Sequence, residues 1–160
     1  MKNLTPAQRT FLRRRLGPTL TFKVVPAFVG LGFKIQARVA AIPEGQPKPE
    51  LEPFSLALAF GLLAPMGRIA STIRQGVAEG QDPETVKADV TAEAAEILRI
   101  LLTDETEDSV LSLYTFINGE VDRIFSETDL WDLLNDAEDV FDPAPKKKPK
   151  FAPDPNPGRR

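Results

Sequence analysis

The feature that most constrains this chain is an acidic block, residues 82–141, that contains three helix starts in series. Each start has a capping side chain, at Asp82-Pro83-Glu84, Asp104-Glu105-Thr106-Glu107 and Ser126-Glu127-Thr128-Asp129. After each start, apolar residues recur every three or four positions, which is typical of one helix face. The links are only a few residues long, so we predict three antiparallel amphipathic helices at 83–141 in a small bundle. Their predicted stripes are Val86, Val90, Ala94, Ile97 and Leu101; Val110, Leu113, Tyr114, Ile117, Val121 and Ile124; and Leu130, Leu133, Leu134, Ala137, Val140 and Phe141.

Charge is segregated along the chain. Residues 1–80 hold 11 basic and 4 acidic side chains, a net of +7, whereas residues 81–142 hold 3 basic and 18 acidic, a net of -15. The last segment, 143–160, has a net charge of +5, which brings the whole chain to -3. Regions of opposite sign favour contact with each other, with copies of the chain or with a charged partner. Neutralisation within one fold is the simplest of these.

The residue types that are absent exclude several classes of chemistry. The chain has no cysteine and no histidine, so thiolate nucleophiles, imidazole acid–base catalysis and zinc sites of the Cys/His type are all excluded. The clustered carboxylates at 104–108 could hold a divalent cation, but helix capping already explains several of them. We therefore expect a non-enzymatic protein with no cofactor, no resident metal and no small-molecule substrate.

The N-terminal segment predicts a short helix with a basic side. Thr5-Pro6-Ala7-Gln8 has the pattern of a capping box, and Gly17-Pro18 is a typical helix end. The arginines between them are candidates for contact with an anion or an acidic partner, and a basic helix paired with the acidic block is the simpler interpretation. These arginines are Arg9, Arg13, Arg14 and Arg15.

Residues 19–42 support two interpretations. Apolar and polar residues alternate on both sides of Pro26–Gly32, which predicts a β-hairpin. The spacing of Phe28, Leu31, Ile35 and Val39 fits a helical stripe equally well. Both interpretations remain open from the sequence.

Prolines at 43–53 indicate a linker or extended crossover, and the apolar run that follows, 54–63, predicts a buried core helix. That run is too short to span a membrane, which needs about 20 apolar residues. A stripe then continues at Met66, Ile69, Ile73 and Val77, with a bend expected at Pro65. The apolar and basic segment 20–77 could instead form a surface that lies on anionic lipid. A core shared with the acidic helices is the favoured interpretation.

Two further segments are candidate contact sites. The last helix interleaves large apolar residues with acids, as in a helix that lies in a partner's groove, or it simply completes the chain's own core. Its candidate interface residues are Leu130, Trp131, Leu133, Leu134 and Phe141. The segment 143–160 is rich in proline and lysine, and we predict a disordered or extended tail. Its candidate contacts with an anion or acidic partner are Lys146, Lys147, Lys148 and Lys150.

The sequence therefore predicts a mainly α fold: N-terminal helices and the acidic helices in one small bundle, followed by the tail. The expected function is protein–protein interaction, as an assembly or structural subunit that binds protein partners or copies of itself. Alternatives are a peripheral membrane protein that uses 20–77 and nucleic-acid binding through the basic arms. No convincing signal peptide or transmembrane helix is found, which favours the cytoplasm or a macromolecular assembly. The partner's identity and the oligomeric state stay open.

Overall fold

The computed structural model describes residues 4–104 and 107–141. This part of the chain contains five helices, which we name α1 (Pro6–Ala40), α2 (Leu56–Glu79), α3 (Pro83–Leu101), α4 (Glu107–Glu127) and α5 (Leu130–Phe141). A two-stranded antiparallel sheet is formed by β1 (Glu50–Leu51) and β2 (Leu102–Asp104). The mainly α prediction and the three acidic helices are confirmed. The predicted tail, 143–160, lies outside the described residues.

Local capping explains where several helices begin. Asp82 accepts a hydrogen bond from the Thr85 backbone N–H at 3.2 Å, immediately before Pro83 at the first position of α3. Thr5 and Gln8 form the predicted reciprocal capping box of α1, with distances of 3.3 and 2.8 Å. Each bond satisfies a backbone or side-chain group that would otherwise lack a partner at a helix N-terminus.

Helix α1 corrects the predicted helix end and decides between the two interpretations of residues 19–42. Gly17-Pro18 does not end a helix, because α1 is continuous from Pro6 to Ala40, and residues 19–40 are helical instead of forming a hairpin. Two π-helical segments, Leu12–Leu16 and Leu20–Val24, accommodate the prolines. The N–H of Gly17 donates to the Leu12 carbonyl, and that of Val25 to the Leu20 carbonyl, five residues back in each case. The residue before each proline thus makes a wider turn, which relieves the conflict between a proline ring and an α-helical backbone.

The same π-turns explain why the sequence pattern was ambiguous. In the first part of α1 the buried side chains are Phe11, Leu16, Leu20, Val24 and Phe28, spaced by five or four residues instead of the usual 3.6, whereas Leu31, Ile35 and Val39 follow at ordinary helical spacing. Residues two and four positions apart lie on the same face of a β-strand, so Leu20 and Val24 fit both patterns. In a strand Phe22 would lie on the same face as these two buried residues, whereas in α1 it is 77% exposed.

The crossover between α1 and α2 is extended and passes beside the end of α3. Glu50 pairs with Asp104 and Leu51 with Leu102 in the small sheet, and the Glu52 N–H donates to the Leu101 carbonyl at 2.7 Å. These backbone bonds fix the point at which α2 begins. Helix α2 then runs without a break through Pro65 to Gly80, whose φ of 63° ends it in the left-handed conformation.

The N-terminal half and the acidic block share one core. Buried side chains from all five helices pack together, including Phe28, Ile73, Val90 and Phe125. At the edges of this core, cations of the N-terminal half reach carboxylates of the acidic helices. The pairs are Arg15–Asp136 at 2.6 Å, Lys23–Asp129 at 3.0 Å, Lys34–Glu120 at 2.8 Å and Arg68–Glu93 at 2.7 Å. At these positions, the positive charges of the N-terminal half are therefore neutralised by carboxylates of the same chain.

The apolar run 54–63 corrects another prediction, because most of it is not core. Leu58 is buried, whereas Phe54, Leu56, Phe60 and Leu63 are all exposed. The run has no polar side, so α2 presents apolar side chains all round at this end. The packed helices cover only one side of it.

Candidate docking surface

Seven large apolar side chains on α1, on α2 and immediately before α2 are exposed to solvent. We call them the apolar surface: Phe22, Val29, Phe33, Phe54, Leu56, Phe60 and Leu63. Phe54, Leu56, Phe60 and Leu63 are each at least 60% exposed. Isolated exposed hydrophobic residues are common, but a set gathered on two adjoining helices is typical of a binding site.

A groove lies at the centre of the apolar surface, between α1 and α2. It is a cavity of about 200 Å³, and its lining includes Val29, Phe33, Leu58, Leu62 and Met66. The Phe33 and Phe54 rings meet at its edge, with their centroids 5.5 Å apart. Among the described residues that line the groove, Gln36 alone has a polar side chain, so the groove suits an apolar guest.

A ridge runs beside the groove on α2. Leu56, Phe60 and Leu63 are spaced by four and three residues, so they lie on one side of the helix. Small residues accompany them: Ala57, Gly61, Ala64 and Gly67 are all exposed. No charged residue occurs between Glu52 and Arg68. The ridge and the groove thus form one continuous uncharged relief.

The charged side chains of α1 extend from another side of the helix, toward the acidic helices. Lys34 contacts Glu120, and the Arg38 guanidinium lies 4.7 Å from the centre of the Phe116 ring. Hydrogen bonds from Arg123 and then Lys34 hold the pKa of the Glu120 carboxyl below its ordinary value, although partial burial acts in the opposite direction. Glu120 and Arg123 form the second pair of this cluster at 2.6 Å. The cluster holds α1 on α4 and leaves the side that carries Phe33 without charge.

The predicted basic arm does not form one patch in the structure. Arg15 pairs with Asp136, and Arg9 donates to the Leu4 carbonyl at 3.0 Å. Arg13 lines a cleft of about 390 Å³ with Arg74 of α2, whereas Arg14 and Arg15 line a different cleft together with Asp129 and Asp132. The four arginines thus separate into at least two groups, and their contact with an anion stays a prediction.

The predicted interface on the last helix is mostly core. Leu130, Leu133 and Leu134 are buried among the chain's own helices. Trp131 is half-buried at the core edge, where its ring meets Phe125 edge-on at a centroid distance of 5.2 Å. The α5 stripe therefore completes the bundle instead of facing a partner, because α2, α3 and α4 already cover it. The side chain of Phe141 and the lysines at 146, 147, 148 and 150 lie outside the described residues.

A second ring contact fixes the position of Lys87 beside Trp131. The Lys87 ammonium lies 5.4 Å from the centre of the Trp131 ring and pairs with Asp122 at 2.7 Å. The hydrogen bond to Asp122 raises the pKa of Lys87, and burial opposes this rise. This arrangement ties α3, α4 and α5 together.

Metal binding and membrane crossing are two alternatives. Among the described side chains, which leave out those of residues 104–109, no group of three or more acidic side chains could hold a metal ion. The carboxylates at 104–108 lie outside the described side chains, so their candidate cation site stays a prediction. Helices α1 and α2 are long and apolar enough to cross a membrane, although a third of each apolar window is buried in the chain's own structure. Core helices of soluble proteins meet the same criteria, so the finding is weak.

The sequence did not reveal the apolar surface, although one signal for it was present. The run 54–67 has no charged residue, and the apolar residues of α2 therefore outnumber the positions that one packed side can cover. Such an all-round apolar helix end needs a second covering layer. That signal indicates a surplus of apolar area, but it does not indicate which residues remain outside.

Comparisons of this chain with protein-family models, with curated proteins and with solved structures returned no match.

Proposed function

We propose that this chain is a non-enzymatic interaction protein that docks onto a protein partner through its apolar surface. The observation that carries the proposal is the exposure of Phe54, Leu56, Phe60 and Leu63 around an apolar groove. Water-exposed aromatic and aliphatic side chains in this number lower the solubility of a chain unless another surface covers them. A partner that removes them from water supplies the missing layer.

The size of the surface fits a specific interface. With about 200 Å² for a fully exposed Phe side chain, the four phenylalanines alone present about 500 Å² to solvent. Two leucines and a valine add to this area, which approaches the roughly 800 Å² that each partner contributes to a standard interface. Phenylalanine and leucine beside a groove also provide the kind of central anchors on which binding energy concentrates.

Site-specific photo-crosslinking in cells of the source organism tests the proposal. A benzophenone amino acid replaces Phe60 in one variant and Leu111 in the other. Leu111 is the matched control, because it is 69% exposed but lies on α4 and is not among the described residues that line the groove. We expect a discrete protein adduct from position 60 and none from position 111. Equal adducts from both positions, or none from either, would contradict docking through this surface.

A membrane surface is the second candidate, and the apolar length of α1 and α2 is the observation that favours it. Attraction to anionic lipid is weakened because the charges of Lys23, Lys34 and Arg68 are already neutralised by carboxylates in ion pairs. Flotation with vesicles of phosphatidylcholine and phosphatidylserine separates the candidates. Flotation of the natural chain that Phe60→Asp abolishes and Leu111→Asp does not would favour the membrane.

A further inference from the structure

We propose that the apolar surface is occupied by a second copy of this chain, with the ridge of each copy in the groove of the other. The inference rests on the proposed function, and it names the partner. Ridge and groove lie side by side on one surface, the ridge formed by Leu56, Phe60 and Leu63 and the groove lined by Val29 and Phe33. A two-fold axis between them places each ridge opposite the other copy's groove. Such self-complementary pairing is the commonest symmetry of protein dimers.

The groove has the volume of an aromatic ring. An apolar cavity of about 150 Å³ holds benzene, and this groove measures about 200 Å³. Phe60 is the largest side chain of the ridge and is 63% exposed, so its ring is available to enter. Ala64 and Gly67 beside it allow the two α2 helices to approach closely, because they carry little or no side chain.

Electrostatics favour this face over the others for contact between identical chains. Two acidic blocks, each with a net charge of -15 over residues 81–142, repel each other when they meet directly. The apolar surface carries no charge, so pairing there buries no ion and leaves the intrachain pairs Lys34–Glu120 and Arg68–Glu93 intact. Identical copies therefore meet at this face without the repulsion that contact between two acidic blocks would bring.

The chain's own C-terminal segment is the weaker candidate for the groove. Its one large apolar residue, Phe151, follows Lys146-Lys147-Lys148-Pro149-Lys150 closely in sequence. None of the described residues that line the groove has a carboxylate, so those lysines would approach an apolar wall without a partner. A second copy brings apolar side chains alone.

Sedimentation velocity of the full chain, from about 1 to about 200 μM, tests the proposal, since weak dimers have dissociation constants in this range. We expect a concentration-dependent dimer. Phe60→Asp should raise its Kd by about 30-fold or more, as loss of a central anchor does. Leu111→Asp, the control on α4, should leave the Kd unchanged. Circular dichroism on both variants confirms that each remains folded.

The absence of cysteine allows a second test that keeps every aromatic anchor. Ala64→Cys on the ridge and Gln36→Cys in the groove are made as separate proteins, mixed and oxidised. We expect the mixed disulfide 64–36 to form at least about ten times faster than any disulfide of Leu111→Cys, because thiols cross-link only where their backbones come together. Equal rates for all three cysteines would overturn the proposal.

Other outcomes separate this proposal from the proposed function. A natural chain that is monomeric throughout the concentration range overturns self-pairing, even if position 60 still cross-links to a different protein in cells. In that case docking stands and only the partner changes. A monomer that becomes a dimer on Phe151→Asp also overturns it for the natural chain, since the C-terminal segment would then be the occupant.

Discussion

Both halves of α2 carry large apolar side chains, yet only the second half buries most of them. From Met66 to Val77 the helix turns Ile69 and Ile73 into the core, with exposures of 1% and 0%. From Leu56 to Leu63 it exposes three large side chains for the one, Leu58, that it buries. The second half carries Arg68, Arg74 and Gln75 on its outer side, and the first half carries no charge at all.

The polar side of a helix, more than its apolar content, indicates whether the packing of that helix is complete. A polar outer side accompanies a finished contact, because water then covers what the core does not. An apolar outer side leaves the contact unfinished. By this criterion the first half of α2 needs a second protein layer to cover its exposed apolar side chains.

The largest effect is expected from truncation of a core residue in the second half. Ile73→Ala should lower the free energy of unfolding by about 3 kcal/mol, because it removes fully buried methyl groups and leaves a cavity. Phe60→Ala should change it by no more than about 0.5 kcal/mol in the monomer, because the ring is mostly in water. Urea unfolding at low protein concentration measures both. Similar losses for both variants would erase the distinction between the halves.

Two glycines of α2 provide a test with opposite signs. A methyl group at Gly76 would overlap Cγ2 of Val86, so Gly76→Ala should cost about 1 kcal/mol even after the gain in helix propensity. A methyl group at Gly67 meets no atom of the described residues within 4 Å, so Gly67→Ala should stabilise the chain by about 0.5–1 kcal/mol. Thermal unfolding of the two variants gives the signs. If Gly67→Ala instead destabilises the chain, Gly67 must pack against other atoms, and the exposed half of α2 is not open as described.

Helix α1 has the same two-sidedness, and its charged side predicts a pH dependence. Because the pKa of Glu120 is lowered in the folded chain, its contribution to stability is present above the ordinary pKa of about 4.3 and is lost as pH falls through the folded value. Glu120→Gln should therefore cost about 1 kcal/mol at pH 7 and progressively less below about pH 4. Urea unfolding across this range measures the difference.

The control for this test is Asp129→Asn, which removes the more exposed pair with Lys23. Asn tolerates the positive φ of 58° at this position, so the substitution keeps the backbone unstrained. We expect a cost below about 0.5 kcal/mol at neutral pH. An equal cost for both variants would mean that the cluster around Glu120 has no special role in holding α1.

The acidic helices could be predicted from the sequence because local and global signals agree there. Asp82 caps α3, Pro83 occupies its first position, and Val86, Val90 and Ala94 follow at helical spacing and are all buried. The start of α1 and, as one of two interpretations, its stripe at Phe28, Leu31, Ile35 and Val39 could be predicted. The continuity of α1 could not, because two internal prolines and two π-turns distort the period. From Phe11 to Phe28, buried residues are four or five positions apart instead of the three or four that a regular α-helix predicts.

The candidate surface could not be predicted because burial at residues 54–67 depends on how many helices the fold supplies. Leu58 and Phe60 are both apolar members of the same run, yet one is 7% exposed and the other 63%. No pattern in the sequence separates them, since both neighbours of each are apolar as well. The choice was made by the position of α1 and α3 against α2, which is a tertiary effect.

The π-turns of α1 also set how the length of this helix can vary. An added residue in an α-helix rotates everything beyond it by about 100°, whereas a π-turn holds one extra residue within a single turn. The segments 12–16 and 20–24 are thus the places where α1 can lose a residue and remain helical. Deletion of Thr21 would convert the second π-turn to an α-turn and swing Phe11 and Arg15 away from α5, where Arg15 meets Asp136. The rotation of the first four turns of α1 relative to the rest of the molecule therefore depends on the one extra residue in each π-turn. A shift in melting temperature on deletion of Thr21 would show that this rotation has been lost.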